Sequence, residues 1–166
     1  MNWNKTIQTK IISSSEALQG VINQWRKNQK KIVFTNGCFD ILHMGHIDYL
    51  CKAADLGDKL IIGVNTDQSI SKIKGPNRPI IDETTRITKL ASLAFVDAVV
   101  LFDQETPLKL IEEINPTVLV KGGDYSIETI VGADHTLKMG GEVKVIPFLE
   151  GYSSTRYIQK IRESKP

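Results

Sequence analysis

The chain has 166 residues, 41% of them apolar, which suits one compact domain burying roughly two-thirds of the surface its unfolded form would expose. Its 21 basic and 19 acidic side chains leave a formal charge of +2 with no polybasic run, which argues against a nucleic-acid partner. No stretch approaches the ~20 apolar residues of a membrane-spanning helix, and the amino terminus lacks the apolar core of a signal peptide, so a soluble, cytoplasmic protein with no membrane partner is expected.

Residues 1–30 read as a helical extension: Ser13 and Glu16 are spaced as a capping box for a helix carrying Leu18, Val21, Ile22 and Trp25. From residue 31, to 166, β-branched runs alternate with helical patterns, the signature of a parallel sheet covered by helices. Five strands are predicted, at residues 31–36, 59–65, 97–102, 117–122 and 142–148. Between the first two, Ile47, Leu50, Cys51 and Ala54 recur at helical spacing before Gly57; Ile87, Leu90, Ala91 and Ala94 mark the next helix. Thr106 and Pro107 read as an N-cap and first helical residue, and Ser153-Ser154-Thr155 opens the last helix. The one long irregular stretch runs from Thr66 to Glu83, and a loop of that length inside a compact domain is more often functional than idle. Cys38 and Cys51 lack CxxC or Cys/His spacing, so neither a disulfide framework nor a structural zinc is expected.

The residues that carry chemistry fall at the ends of strands. TNGCFDILHMGH follows the first, NTDQS the second, KGGDY the fourth and EGYSST the fifth, and open α/β sheets bind ligands outside the carboxyl ends of their strands. In His43-Met44-Gly45-His46, three-residue spacing at a helix start sets both imidazoles on one side, and the glycine lets an anion approach free backbone N–H groups. Isolated, such a pair would more readily be a cap and a core histidine, with metal ligands as a second alternative; its place in a strand-to-helix junction favours phosphate. Gly151-Tyr152-Ser153-Ser154-Thr155-Arg156 puts three hydroxyls and a cation at another helix N-terminus, a second phosphate site. Lys72, Lys74, Arg78 and Arg86 form either a solvated face or a cationic lid. Lys121-Gly122-Gly123-Asp124-Tyr125 is a tight turn or a substrate or nucleobase contact.

TNGCFD, HMGH and GYSST together resemble the signature elements of the cytidylyltransferase-like HxGH nucleotidyltransferases. The stretches NTDQSISKIKGPNRPI, VDAVVLFDQETPLKLIEEINPTVLVKGGDY and EGYSSTRYIQKI narrow the resemblance, which covers about residues 30 to 162, to the adenylyltransferases that form ADP-heptose from D-glycero-β-D-manno-heptose 1-phosphate, alone or fused to a sugar kinase. It implies a Rossmann-like α/β fold with helices on both faces of a five-stranded parallel sheet, in the stand-alone form and without kinase activity. It implies AMP transfer from ATP to a sugar 1-phosphate for lipopolysaccharide or other surface-glycan synthesis, Mg²⁺ bound with the triphosphate, no protein metal ligands, and a homodimer or higher homo-oligomer. His43, His46 and Lys72 would be catalytic. Asn36, Gly37, Cys38, Phe39, Gly45, Lys74, Arg86, Ser153, Ser154 and Thr155 would bind the nucleotide and its phosphates. Asp40, Asn65, Asp67, Arg78, Lys121, Gly122, Gly123, Asp124 and Tyr125 would face the acceptor. Competing readings are a CTP-dependent enzyme acting on glycerol 3-phosphate or a phosphorylated amino alcohol, and a catalytically silent nucleotide binder; a class I aminoacyl-tRNA synthetase would need a tRNA-reading domain for which there is no room.

Overall fold

A computed structural model describes residues 2–164. In chain order it contains α1 (Trp3–Lys10), β1 (Ile11–Ile12), α2 (Ser15–Lys27), β2 (Ile32–Gly37), α3 (Met44–Ala54), β3 (Lys59–Asn65), α4 (Asp67–Lys74) and α5 (Glu83–Ala91). There follow β4 (Ala98–Phe102), α6 (Leu108–Ile114), β5 (Val118–Gly122), a 3-10 turn (Ile127–Thr129), α7 (Ala133–Lys138), β6 (Glu142–Ile146) and α8 (Ser154–Glu163). No helix is long and apolar enough to cross a membrane among the described residues.

The sheet has six parallel strands, not the five expected, in the order β1-β4-β3-β2-β5-β6. The added strand is β1, two residues at the edge beside Val99 and Val100, too short to leave a pattern in sequence. Alternation along the strands sends side chains to two cores. Phe34, Ile61, Val100 and Leu119 meet Leu18, Ile22, Ile111 and Ile114 on one face; Val33, Ile62, Val99 and Val120 meet Leu50, Ala53, Leu90 and Ala91 on the other. The apolar stripe of α2 is therefore used in packing on the sheet.

Three local expectations are corrected. The cap of α2 is Ser14, whose hydroxyl accepts from the Ala17 amide at 3.2 Å, not Ser13. Pro107 rather than Thr106 precedes α6 as its N-cap. The stretch from Thr66 to Glu83 is not wholly irregular: α4 occupies its first half, capped by Thr66 and anchored by fully buried Ile70.

The chain leaves β2 toward β3 and β4 on one side, whereas β5 and β6 lie on the other, so the direction of winding reverses between β2 and β5. Their pairing is limited to Val33↔Val118 and Phe34↔Leu119, whereas β2 pairs with β3 all the way to Gly37↔Val64. Beyond that ladder the hydroxyl of Tyr49, from α3, bonds the Thr35 hydroxyl and donates to the Val120 carbonyl at 3.3 Å, wedging the two strands apart at their carboxyl ends.

Mid-strand Gly63 is required by the packing over it. A β-carbon there would lie 2.9 Å from Phe34 Cζ and 3.1 Å from Leu110 Cδ2. Gly63→Val should destabilise the protein by about 1–3 kcal/mol through overpacking, read as a lower urea midpoint; an unchanged midpoint would contradict this packing.

Candidate active site

The loop after β2 makes a sharp bend at Phe39, a non-glycine residue at φ 47°. Its ring folds back under Gly37, where a β-carbon would meet it at 3.0 Å, and sets its edge against His46 with ring centroids 5.3 Å apart. The chain then enters α3 through His43, the extended N-cap, so His43 and His46 stand one turn apart with their rings stacked at 3.8 Å. The His43 amide points at His46 Nδ1 across 3.4 Å, and His43 Nδ1 is buried without a hydrogen-bond partner among the described residues. An orphaned buried nitrogen beside the unpaired N–H groups of a helix start is suited to receive an outside group.

Burial, then the neighbouring His43 and the field of Lys74, push the His46 pKa down to about 4, partly offset by the Ile41 carbonyl; burial likewise lowers His43. Both rings are thus neutral at pH 7, which two imidazoles in contact require in the absence of an anion.

The last helix converges on the same place. Ser153 caps α8 by accepting from the Arg156 amide at 3.1 Å, Ser154 Oγ donates to the Ile41 carbonyl at 3.3 Å, and Arg156 donates to the Gly151 carbonyl at 3.0 Å. Tyr152 lies so close over Gly45 that a β-carbon on the glycine would be 3.1 Å from its Cβ. Tyr152 and Tyr157 flank His43 at 6.4 and 5.9 Å between centroids. Two helix N-termini, with their partial positive charge, therefore meet around the imidazole pair.

The loops around this centre are held by two internal ties. Arg86, 1% exposed, donates to the carbonyls of Ile81, Cys38 and Asn65 at 3.0, 2.6 and 2.8 Å, and pairs with Asp67 at 2.8 Å. Asp40, 3% exposed, accepts from the Ile80 and Ile81 amides at 2.9 Å each and from Arg78 at 2.6 Å. Burial alone would raise the Asp40 pKa, but these amides and the guanidinium outweigh it and keep the carboxylate ionised below its usual range. Four of the residues expected at nucleotide or acceptor, Asp40, Asp67, Arg78 and Arg86, thus bond one another or the backbone in this structure. Asn65 is nearly buried and donates to the Ser69 hydroxyl at 3.0 Å; Cys38 Sγ lies 3.9 Å from its side-chain oxygen.

The remaining candidates divide into two groups. On α4, Lys72 and Lys74 are exposed; Lys74 acts on His46, and Lys72, two residues earlier, is turned about 200° away around the helix. Thr155, on α8, shares a cavity with Arg78 and Ile80. On the other side of the crevice, Lys121 sits over the Tyr125 ring at 5.7 Å and shares a cavity with Asn36, while Asp124 is exposed. Gly122 and Gly123 pack beneath Phe148 and Tyr125, the first so closely that a β-carbon would meet Phe148 at 2.5 Å. Tyr49, Phe148 and Tyr157 shape the site without any mark in sequence beyond aromaticity. Among the described residues no group of three or more His, Cys, Asp or Glu could hold a metal ion.

The cytidylyltransferase-like family model matches residues 34–160, and the chain belongs to that family of Rossmann-like α/β nucleotidyltransferases. Among curated relatives, the bifunctional protein HldE of Marinomonas sp. (strain MWYL1) is 57% identical over 150 residues, 90% of this chain and 31% of its own length. That of Koribacter versatilis (strain Ellin345) is 49% identical over 153 residues, 92% of this chain and again 31% of the relative. The chain therefore spans about a third of the length of these relatives. A lipopolysaccharide core biosynthesis protein from Thermoplasma volcanium GSS1 aligns with a TM-score of 0.57 and 30% identity over 75% of this chain and 99% of its own. A pantoate-beta-alanine ligase from Francisella tularensis, complexed with beta-gamma ATP and beta-alanine, shares the fold at 20% identity with a TM-score of 0.63, over 92% of this chain and 77% of its own.

Two outcomes follow from this geometry. Because the folded state resists a proton that the unfolded chain accepts near pH 6.5, His46 leaves stability untouched above that pH and erodes it as pH falls toward about 4. His46→Gln should flatten the pH dependence of the urea midpoint across that window; an unchanged slope would contradict a neutral, buried His46. Arg86→Ala should cost about 3 kcal/mol, since three carbonyls lose their donor at ~1 kcal/mol or more each. Arg86→Lys should recover only part of it, a single ammonium being unable to serve a planar fork; full recovery would show that charge alone suffices.

Proposed function

We propose that this protein transfers AMP from ATP to D-glycero-β-D-manno-heptose 1-phosphate in the cytoplasm, giving ADP-heptose and pyrophosphate for lipopolysaccharide or other surface-glycan synthesis. The observation that carries the reading is the stacked His43–His46 pair set where the N-termini of α3 and α8 meet. The choice of acceptor is supported by the resemblance of KGGDY and the loop after β3 to the ADP-heptose-forming enzymes, by relatives that are bifunctional and about three times as long, and by a structural neighbour named for lipopolysaccharide core biosynthesis.

The chemistry needs little more than this arrangement. An acceptor phosphate monoester has its second pKa near ~6, so its oxygen is already an anionic nucleophile at neutral pH and requires no general base. The barrier is repulsion between two polyanions and the charge that builds on the α- and β-phosphate oxygens during in-line displacement. Helix N–H groups at Met44 and Gly45, the Ser153 hydroxyl, whose own proton is not committed, and the two imidazoles are fixed before substrate arrives, so little reorganisation is required at the moment of transfer. A polyanion also reverses the balance that keeps His46 neutral, drawing a proton onto the pair as charge accumulates. Lys74 reaches this field from α4, and Lys72 belongs to the same mobile segment in this reading.

Mg²⁺ fits as a companion of the triphosphate rather than as a resident of a protein cage, because Asp40 and Asp67 are committed to Arg78 and Arg86. Bound so, it would supply positive charge to the phosphates, with no side chain of this protein assigned to hold it. A homodimer or higher homo-oligomer belongs to the same proposal, supported by Trp3 and Ile161, which are 68% and 70% exposed.

The test is pyrophosphate release from ATP, CTP, GTP or UTP paired with heptose 1-phosphate, glycerol 3-phosphate or phosphoethanolamine. Release confined to ATP with heptose 1-phosphate is expected; release with CTP and an alcohol phosphate would overturn the substrate assignment. In the active pair, His46→Ala should lower turnover by about a hundredfold or more, the scale of losing one oxyanion donor; unchanged turnover would remove His46 from the mechanism.

A further inference from the structure

The sheet ends on β6, and no strand pairs with its outer edge among the described residues. The Glu142 amide donates to the Thr117 carbonyl at 2.8 Å and the Ile146 carbonyl accepts from the Gly123 amide at 2.9 Å, so these two residues turn their backbone groups toward β5. Backbone direction alternates along a strand, which leaves the N–H and C=O of Val143 and Val145 aimed outward. The side chains of both valines pack on the core that holds Phe34 and Leu119. Those of Glu142 and Lys144 stand on the other face, each about half exposed and 3.0 Å apart, with Lys31 a further 3.6 Å from Glu142.

An open edge is a template for another strand, and a lysine placed there usually keeps one out. In β6 the glutamate two residues before the lysine reverses that outcome. A second copy of the same edge, related by a two-fold axis, must run antiparallel, and one register within the strand satisfies every group. With the axis at Val143, the two outward-facing valines exchange N–H to C=O bonds. Glu142 of each copy then lies directly opposite Lys144 of the other, in the closer, non-hydrogen-bonded kind of cross-strand pair. Moving the axis to Glu142 or Lys144 sets like charges against each other, and moving it to Val145 brings Pro147, which has no N–H, opposite Val143. The antiparallel arrangement also lays the start of one strand beside the end of the other. Exposed Leu137 and Met139 precede β6 and exposed Phe148 and Leu149 follow it, so apolar surface meets apolar surface at both ends.

We propose that two copies of this chain associate edge to edge through β6, with Val143 on the two-fold axis and a ring of alternating charge formed by Glu142 and Lys144 of both copies. The inference rests on the homo-oligomer of the reading above and gives it a surface. The two six-stranded sheets become continuous through the contact. Phe148 packs over Gly122 at one wall of the candidate site, so Leu137 and Met139 of the second copy stand against that wall from outside.

The test is the dissociation constant of the pair, measured by sedimentation equilibrium for the wild type, Glu142→Lys, Lys144→Glu and the double exchange. Both side chains are about half exposed, so the exchanges leave the core intact, and a cooperative urea transition in each variant checks this. The wild type should sediment at twice the chain mass. Each single exchange sets two like-charged pairs across the axis and should weaken association by about tenfold or more. The double exchange restores opposite charges in reversed order and should recover most of that loss. Association unaltered by either single exchange would place the contact elsewhere, and a double variant no tighter than the singles would mean that Glu142 and Lys144 do not face each other. Either result overturns the inference and leaves the homo-oligomer standing. A wild type that remains a monomer removes the homo-oligomer and the inference together.

Discussion

The candidate active site depends on one buried guanidinium. Arg86 reaches from α5 beneath the carboxyl ends of two adjacent strands and binds the carbonyls of Cys38 and Asn65, the first residues beyond or at the ends of β2 and β3. Backbone carbonyls that leave a sheet lose their ladder partners, and a loop bent as sharply as the one at Phe39 cannot recover them from its neighbours. A single planar fork satisfies two such ends and the Ile81 carbonyl as well, while Asp67 balances its charge. The loop that leads into His43 is thereby tied to the segment between α4 and α5. Asp40 makes the reciprocal tie, holding Arg78 and the amides of Ile80 and Ile81 from the other side.

If the site receives polyanions as proposed, these ties explain how it is stable without one. The cations most deeply placed near the crevice, Arg78 and Arg86, are neutralised within the protein, and the histidines avoid mutual repulsion by remaining uncharged. In the proposed transfer, the groups left to meet phosphate are weakly charged in the absence of ligand: helix N–H groups, the Ser153 hydroxyl, and two imidazoles able to accept a proton when negative charge arrives. The exposed lysines of α4, Lys72 and Lys74, keep their full charges in water. Tyr152 over Gly45 and Ser154 on the Ile41 carbonyl keep the two helix ends in contact, so the candidate site is assembled from residues more than a hundred positions apart.

Much of this was legible in sequence because chemistry-bearing residues fall at strand ends. HMGH, KGGDY and GYSST each follow a β-branched run, and the five long strands appear where alternation and burial place them. The edge strand Ile11–Ile12 is not legible, since two residues carry no period, and α4 resembles loop in sequence because DQSISKIK has only Ile70 and Ile73 to mark an apolar face. Side-chain partners were the larger gap. An arginine after a loop looks the same in sequence whether it faces phosphate or is saturated by carbonyls 21 and 48 residues away. Asp40 was equally ambiguous until its amide partners, 40 and 41 residues later, were in place. Tyr49 reads as one more apolar helix position, yet its hydroxyl holds open the gap between β2 and β5.

Direct transfer is the central claim: a preassembled cradle brings two phosphates together, and no protein nucleophile takes part. The most direct measurement uses ATP stereospecifically labelled at its α-phosphorus, with the configuration of that phosphorus determined in the nucleotide-sugar product. A single in-line displacement between stacked His43 and His46 and the α8 N-terminus predicts inversion. Retention would mean two displacements through a nucleotidylated side chain and would contradict the account.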